Sequence, residues 1–272
     1  MIVKKIYTII LLSLTVLTMQ AQIEIGGNVY GGGNEGKVTG NASVTVRAGD
    51  LNKVFGGARM ADVGGHAFVN IDGEHASNYI LINYVYGGND ISGTIGTSDE
   101  IPSVLTKAAG YDVDNSWNAF VRISNTTTKK TYIGQLFAAG NGDYDYETKL
   151  KSAETTEVDE ETGDVVNPYY GKSTPDLDKA YLEILGGSIV YAYGGGNKAT
   201  VSQKTVICVD NPSEVVSSMK VKDGVLDEED GTDLLTDARL KNDMGINTGF
   251  SYPTSSAYQI GSFFGGNNQA DM

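Results

Sequence analysis

The stretch Val29-Tyr30-Gly31-Gly32-Gly33-Asn34, continued by Val44-Thr45-Val46 and closed by Val54-Phe55-Gly56-Gly57, decides the fold, because the chain repeats it. An aromatic residue followed by two small ones recurs at Tyr30, Phe55, Tyr86, Phe137, Tyr193 and Phe264. The residue before each is apolar: Val29, Val54, Val85, Leu136, Ala192 and Phe263. Asparagine follows within a few positions in most copies, at Asn34, Asn89, Asn141, Asn197 and Asn267. A second element aligns as Val44-Thr45-Val46, Val69-Asn70-Ile71, Val121-Arg122-Ile123, Leu182-Glu183-Ile184 and Val206-Ile207-Cys208. A shorter third mark falls at Val38, Val63 and Val201.

The uninterrupted unit runs from Gly31 to Phe55, 25 residues. Apolar residues at every second position within it specify strands, whose side chains alternate between two faces. Glycine and asparagine supply the corners, since both accept positive φ at little cost. A period of this length, with each unit burying its apolar face on the next, predicts stacked repeats. The expected fold is all-β: a single-stranded right-handed parallel β-helix (β-solenoid) with about five coils of 25 residues plus long loop insertions. The rival fold is a β-propeller or β-sandwich; it fits less well, because propeller blades need about 40 residues each. Within this frame Val44, Val46, Val69, Ile71, Val121, Ile123, Leu182, Ile184, Val206 and Cys208 should point into one interior. Thr45, Asn70, Arg122 and Glu183 should then face solvent.

Residues 1–21 read as a secretory signal peptide. Lys4 and Lys5 form a positive start, Ile6–Met19 is an apolar run too short for a stable membrane span, and Ala21 offers the small residue at the cut. The mature chain, 22–272, has no transmembrane span by the same reading, and is exported. With Cys208 its sole cysteine, it can form no internal disulfide.

The formal net charge of −14 excludes a nucleic-acid partner, whose phosphates require basic patches. The 35 glycines and 5 prolines do not form a collagen pattern. Acidity is concentrated in two windows: residues 143–183 carry 12 acids against 4 bases, and residues 211–243 carry 9 against 4. Both overlap insertions that swell the later repeats, at 143–178 and 211–259, with shorter ones at 73–80, 97–117 and 125–134. Loops of this kind carry function in repeat proteins.

With the Tyr-Gly-Gly-Gly-Asn and Val-x-Ile repeats in hand, the chain resembles secreted bacterial right-handed parallel β-helix proteins, including repetitive adhesin-like surface proteins. The resemblance spans about residues 23–272 and implies an extracellular or cell-surface location on a bacterium, with retention in the periplasm left open. Pectate-lyase-like enzymes share the implied fold, but none of their catalytic residues can be matched here, and fold does not dictate function.

Asp143, Asp145 and Glu147 alternate along one loop and could supply several of the six to eight oxygens that calcium takes. Thr148 stands where an EF-hand loop needs glycine, so that reading is poor; no other cofactor is expected. The acid runs Asp159-Glu160-Glu161 and Asp227-Glu228-Glu229-Asp230 read as solvated loop tips. His66 and His75, the two histidines, lack neighbours at metal-ligand spacing. The aromatic row Tyr30, Phe55, Tyr86, Phe137, Tyr193 and Phe264 is the glycan-contact candidate, because sugar rings pack on aromatic faces. A purely structural ladder is the competing role for the same residues.

The sequence therefore points to an exported, non-enzymatic surface or extracellular module, adhesin-like or structural, with glycans or cell-surface components as partners. The alternative is a carbohydrate-active enzyme, a polysaccharide lyase or glycoside hydrolase, that uses paired carboxylates from the acidic insertions. Residues 265–272 start another unit without supplying its Val-x-Ile strand. The chain is accordingly expected to be a piece of a longer protein, and to self-associate through this open end.

Overall fold

The computed structural model describes residues 24–76, 79–105, 113–125, 131–149, 166–209, 220–222, 225–227 and 258–269. The signal peptide expected at 1–21, both acid runs apart from Asp227, most of 211–259 and the last three residues lie outside this set. The described residues are all-β, in thirteen strands: β1 (Glu24–Tyr30), β2 (Ala42–Val46), β3 (Gly49–Phe55), β4 (Ala67–Gly73), β5 (Ile80–Tyr86), β6 (Ala119–Asn125), β7 (Thr131–Phe137), β8 (Asp176–Ile184), β9 (Gly187–Tyr193), β10 (Thr200–Val209), β11 (Lys220–Lys222), β12 (Val225–Asp227) and β13 (Tyr258–Phe264). Successive strands alternate between two parallel sheets, one of six strands in the order β1-β3-β5-β7-β9-β13 and one of five in the order β10-β8-β6-β4-β2. β11 and β12 form a separate antiparallel pair. No helix long and apolar enough to cross a membrane occurs among the described residues.

This corrects the expected single-stranded right-handed β-helix of about five coils. The chain forms two parallel sheets lying alongside each other, and neither closes on itself. In the first units the third extended piece does not become a strand, whereas its later copy Val201 lies in β10 and pairs with Leu177. Val38, Val63 and Ile95 meet only through isolated bridges, flanked by Gly36, Gly40, Gly64, Gly65, Gly93 and Gly96. Glycine contributes no side chain to pack and weakens a strand interior. In those first units that side of the repeat is therefore connection, not sheet.

Register follows the repeats closely. Tyr30 pairs with Phe55, Phe55 with Tyr86, Tyr86 with Phe137, Phe137 with Tyr193 and Tyr193 with Phe264. In the other sheet Val69, Val121 and Leu182 form one row, and Ile71, Ile123 and Ile184 the next. These inward rows join Val54, Val85, Leu136 and Ala192 of the six-stranded sheet in one apolar core. Both sheets are thus anchored on the same buried layer.

Two details depart from the expected facing. The last strand shifts by one residue between Val201 and Lys204, so Ile207 pairs with Leu182 and packs on the core. Val206 and Cys208 then fall on the opposite face, with Phe68, Phe120 and Tyr181. A one-residue slip exchanges the faces of a strand. Asn70 and Glu183, expected in solvent, are buried at 7% and 0% exposure. On the same side of the sheet Ile101, Leu105, Val113 and Trp117 of the insertion at 97–117 pack with Phe68, Phe120 and Tyr181. Arg122 Nε lies 3.3 Å from Glu183 Oε2, a charge pair that leaves neither group isolated in the apolar layer.

Candidate functional site

The motif of an aromatic and two small residues builds the site. The six aromatic side chains stand on the outer face of the six-stranded sheet, opposite the core row, and stack ring on ring. Centroid separations are 4.9, 4.7, 4.8, 4.7 and 5.0 Å, with planes within 12° of parallel. Phe55, Tyr86, Phe137 and Tyr193 are buried, while Phe264 is 46% exposed. The structure therefore brings all six candidates together in one ladder. Their faces meet each other, and their edges meet the surroundings.

The small residues after each aromatic let neighbouring corners approach. A Cβ on Gly31 would lie 2.4 Å from the carbonyl oxygen of Gly56, and one on Gly87 would lie 2.1 Å from that of Ala138. These glycines were expected to serve positive φ. Left-handed backbone is instead confined, among the described glycines, to Gly49, Gly93, Gly142, Gly171 and Gly187. Close approach of backbones is what excludes a larger side chain.

Beyond the glycines runs a chain of carboxamides. Asn268 Nδ2 donates to Asn197 Oδ1 at 2.9 Å, Asn197 Nδ2 to Asn141 Oδ1 at 3.1 Å, and Asn141 Nδ2 to Asp90 Oδ1 at 2.9 Å. From the other side Asn28 Nδ2 donates to the Tyr30 hydroxyl at 3.1 Å, and Tyr30 donates to Asp90 Oδ2 at 2.7 Å. Every donor along this line points toward Asp90, which is 1% exposed. Tyr144 adds a further hydroxyl on Asp90 Oδ1 at 2.9 Å. Chains of this kind polarise one another and strengthen each bond. Burial, with the Asp90 carboxylate as the next cause, raises the Tyr30 and Tyr144 phenols well above their ordinary range. Both phenols therefore stay protonated donors.

Asp90 was not singled out in the sequence because Asn89 drew the alignment. Asn89 instead accepts from the Ala58 amide at 2.7 Å, and Asn267 accepts from the Gly196 amide at 2.8 Å. Counting three residues past each first glycine places Asn34, Asp90, Asn141, Asn197 and Asn268 in one column, with Arg59 between the first two. That count is the signal that exposes Asp90.

The calcium candidates are placed separately. Asp143 forms an ion pair with Lys198, and Asp145 Oδ1 accepts from the Glu147 and Thr148 amides at 3.1 and 2.9 Å. Glu147 is exposed. Among the described residues, the acidic or imidazole ligand atoms that do converge, within 4.8 Å of one another, belong to Asp72, Glu74 and His75. Arg47 already occupies Asp72, donating Nε to Oδ2 at 2.8 Å. Burial would raise the Asp72 pKa, but hydrogen bonds from His75 and Arg47 outweigh it and hold the carboxyl below its usual range. His66 is buried, its Nε2 accepts from the Ser98 amide at 3.3 Å, and burial lowers its pKa.

The ladder and the carboxamide line border a polar groove of about 300 Å³. Lys53, Tyr84 and Gln135, from three neighbouring strands of the six-stranded sheet, line it together with Asp143, Tyr144 and Gln269. Comparison of the chain with protein-family models, curated proteins and solved structures finds no match in any of the three.

Proposed function

We propose that this chain is an exported structural module of a bacterial surface, adhesin-like in build, whose outer sheet face meets glycans or other surface components. The observation that carries the reading is the ladder. Six strands spend their aromatic side chains on copies of themselves at 4.7–5.0 Å, which favours a repetitive, rigid display body. The buried carboxylate Asp90 is likewise committed to neighbouring repeats by its Tyr30, Asn141 and Tyr144 bonds. Association with further copies through the β13 edge belongs to the same reading, since Phe263 and Phe264 are 50% and 46% exposed there.

The test is expression in a bacterial host, with protease shaving of intact cells and amino-terminal sequencing of the product. A chain beginning at Gln22 and cut by external protease is expected. A cytoplasmic chain that keeps Met1 overturns the proposal.

A further inference from the structure

We propose that the groove beside the ladder binds a neutral oligosaccharide laid across β3, β5 and β7, held by hydrogen bonds and not by ring stacking. This rests on the reading above that the outer sheet face meets glycans, and names the place, the mode and the charge class.

The mode follows from how the rings are oriented. Tyr86 lies between Phe55 and Phe137, 4.7 and 4.8 Å from their centroids, so both of its faces are occupied. Tyr84 is parallel to Tyr86, 9° between planes, and Lys53 Nζ stands 5.6 Å from its centroid. A sugar entering the groove therefore meets the edges of the ladder rings and, at Tyr84, a ring that already carries the Lys53 ammonium. What remains for recognition is polar chemistry.

That chemistry suits hydroxyl groups. Gln135 and Gln269 line the groove with carboxamides able to donate and to accept, and Asn268 adds its side-chain oxygen, while Asn141 and Asn197 beside them are committed to the line that ends on Asp90. A sugar hydroxyl has the same dual capacity, so it can satisfy either end of an amide. Lys53, Tyr84 and Gln135 occupy equivalent positions on adjacent paired strands. Neighbouring strands lie about 4.8 Å apart, so the groove offers a fresh polar side chain at each step along a polymer.

Charge selects among glycans. The groove contains one lysine and one carboxylate, and Asp143 is already paired with Lys198. No excess of positive side chains lines it to hold a uronic or sulfated chain, and no excess of acids to hold an amino sugar cation. Its volume of about 300 Å³ lies at the lower end of ligand sites, consistent with a short run of sugar rings.

The experiment is calorimetric titration of the chain from Gln22 onward with hexasaccharides of neutral hexoses and N-acetylhexosamines, and with uronic acid oligomers of equal length. At least one neutral hexasaccharide is expected to bind, and the uronic series to bind at least about tenfold more weakly. Gln135→Ala is expected to weaken the neutral ligand about tenfold, one to two hydrogen bonds' worth. Gln269→Ala, on an exposed side chain that folding does not need, should weaken it in the same direction. Absence of neutral binding, a preference for uronic oligomers, or affinities unchanged in both variants overturns the proposal. Cell shaving is read independently, so a surface-exposed chain with an empty groove defeats this inference alone.

Discussion

Asn141 donates its side-chain amide to Asp90 at 2.9 Å across 51 residues of sequence, and so ties the loop that follows β7 to the loop that follows β5. The same loop sends Tyr144 to Asp90 and Tyr146 to the Ile91 carbonyl. The start of the insertion beginning at Asp143 is therefore attached to the loop after β5, although its sequence reads only as an acidic insertion.

Asp90→Asn is expected to destabilise the protein by about 1–3 kcal/mol, because an amide would confront donors that need an acceptor. Chemical denaturation followed by circular dichroism measures this. The loop after β7 should also become more sensitive to limited proteolysis, and unchanged stability would contradict the central place of Asp90.

Gly194→Ala and Gly265→Ala form a matched pair. A Cβ at Gly194 would lie 2.4 Å from the Gly265 carbonyl oxygen, whereas nothing lies within 4 Å of one at Gly265. The first substitution should cost about 1–3 kcal/mol through overpacking, and the second should lie near zero. Equal melting temperatures for the two variants would refute the close-approach account.

Phe137→Ala removes a fully buried ring from the middle of the ladder. A loss of about 3–5 kcal/mol is expected, while Phe137→Tyr, which keeps the stack, should cost far less. Thermal unfolding of the two variants separates ring stacking from simple bulk.

His66 gives the stability a pH dependence of known sign. Burial lowers its pKa in the folded chain, so the unfolded chain takes up the proton first as pH falls. Stability from this group is complete above about pH 6.5, the unfolded value, and declines below it. His66→Gln should flatten the slope between about pH 7.5 and 5.5, and denaturation midpoints across that range check it.

Self-association should depend on the exposed β13 edge. Sedimentation velocity of residues 22–272 is expected to show growth with concentration, reduced by replacing both Phe263 and Phe264 with serine. A monomer at every concentration would contradict this.

Much of the strand layout was legible because the repeats place like residues one unit apart, and parallel strands then pair like with like. Val69 beside Val121 and Tyr86 beside Phe137 follow from that alone. The missing third sheet was not legible, since a single valine between glycines reads the same whether it forms a strand or a lone bridge. The burial of Glu183 goes with its pairing to Arg122 from the neighbouring strand, which no alternation within one strand encodes. The displacement of Cys208 arose from a shift near Val201, one residue in a strand of ten. Asp90 was hidden by its neighbour Asn89, whose residue type matched the repeat while its position did not.

Like-on-like pairing across the six-stranded sheet has a consequence for how such a gene can change. Any Tyr or Phe of the ladder fits on any other, so a tandem duplication of one unit would insert a strand that finds compatible neighbours on both sides. Losing a unit would close the gap just as well. Chain length can therefore drift by whole units through unequal recombination, with little packing to be solved afresh, while each insertion remains free to diverge at its own rate.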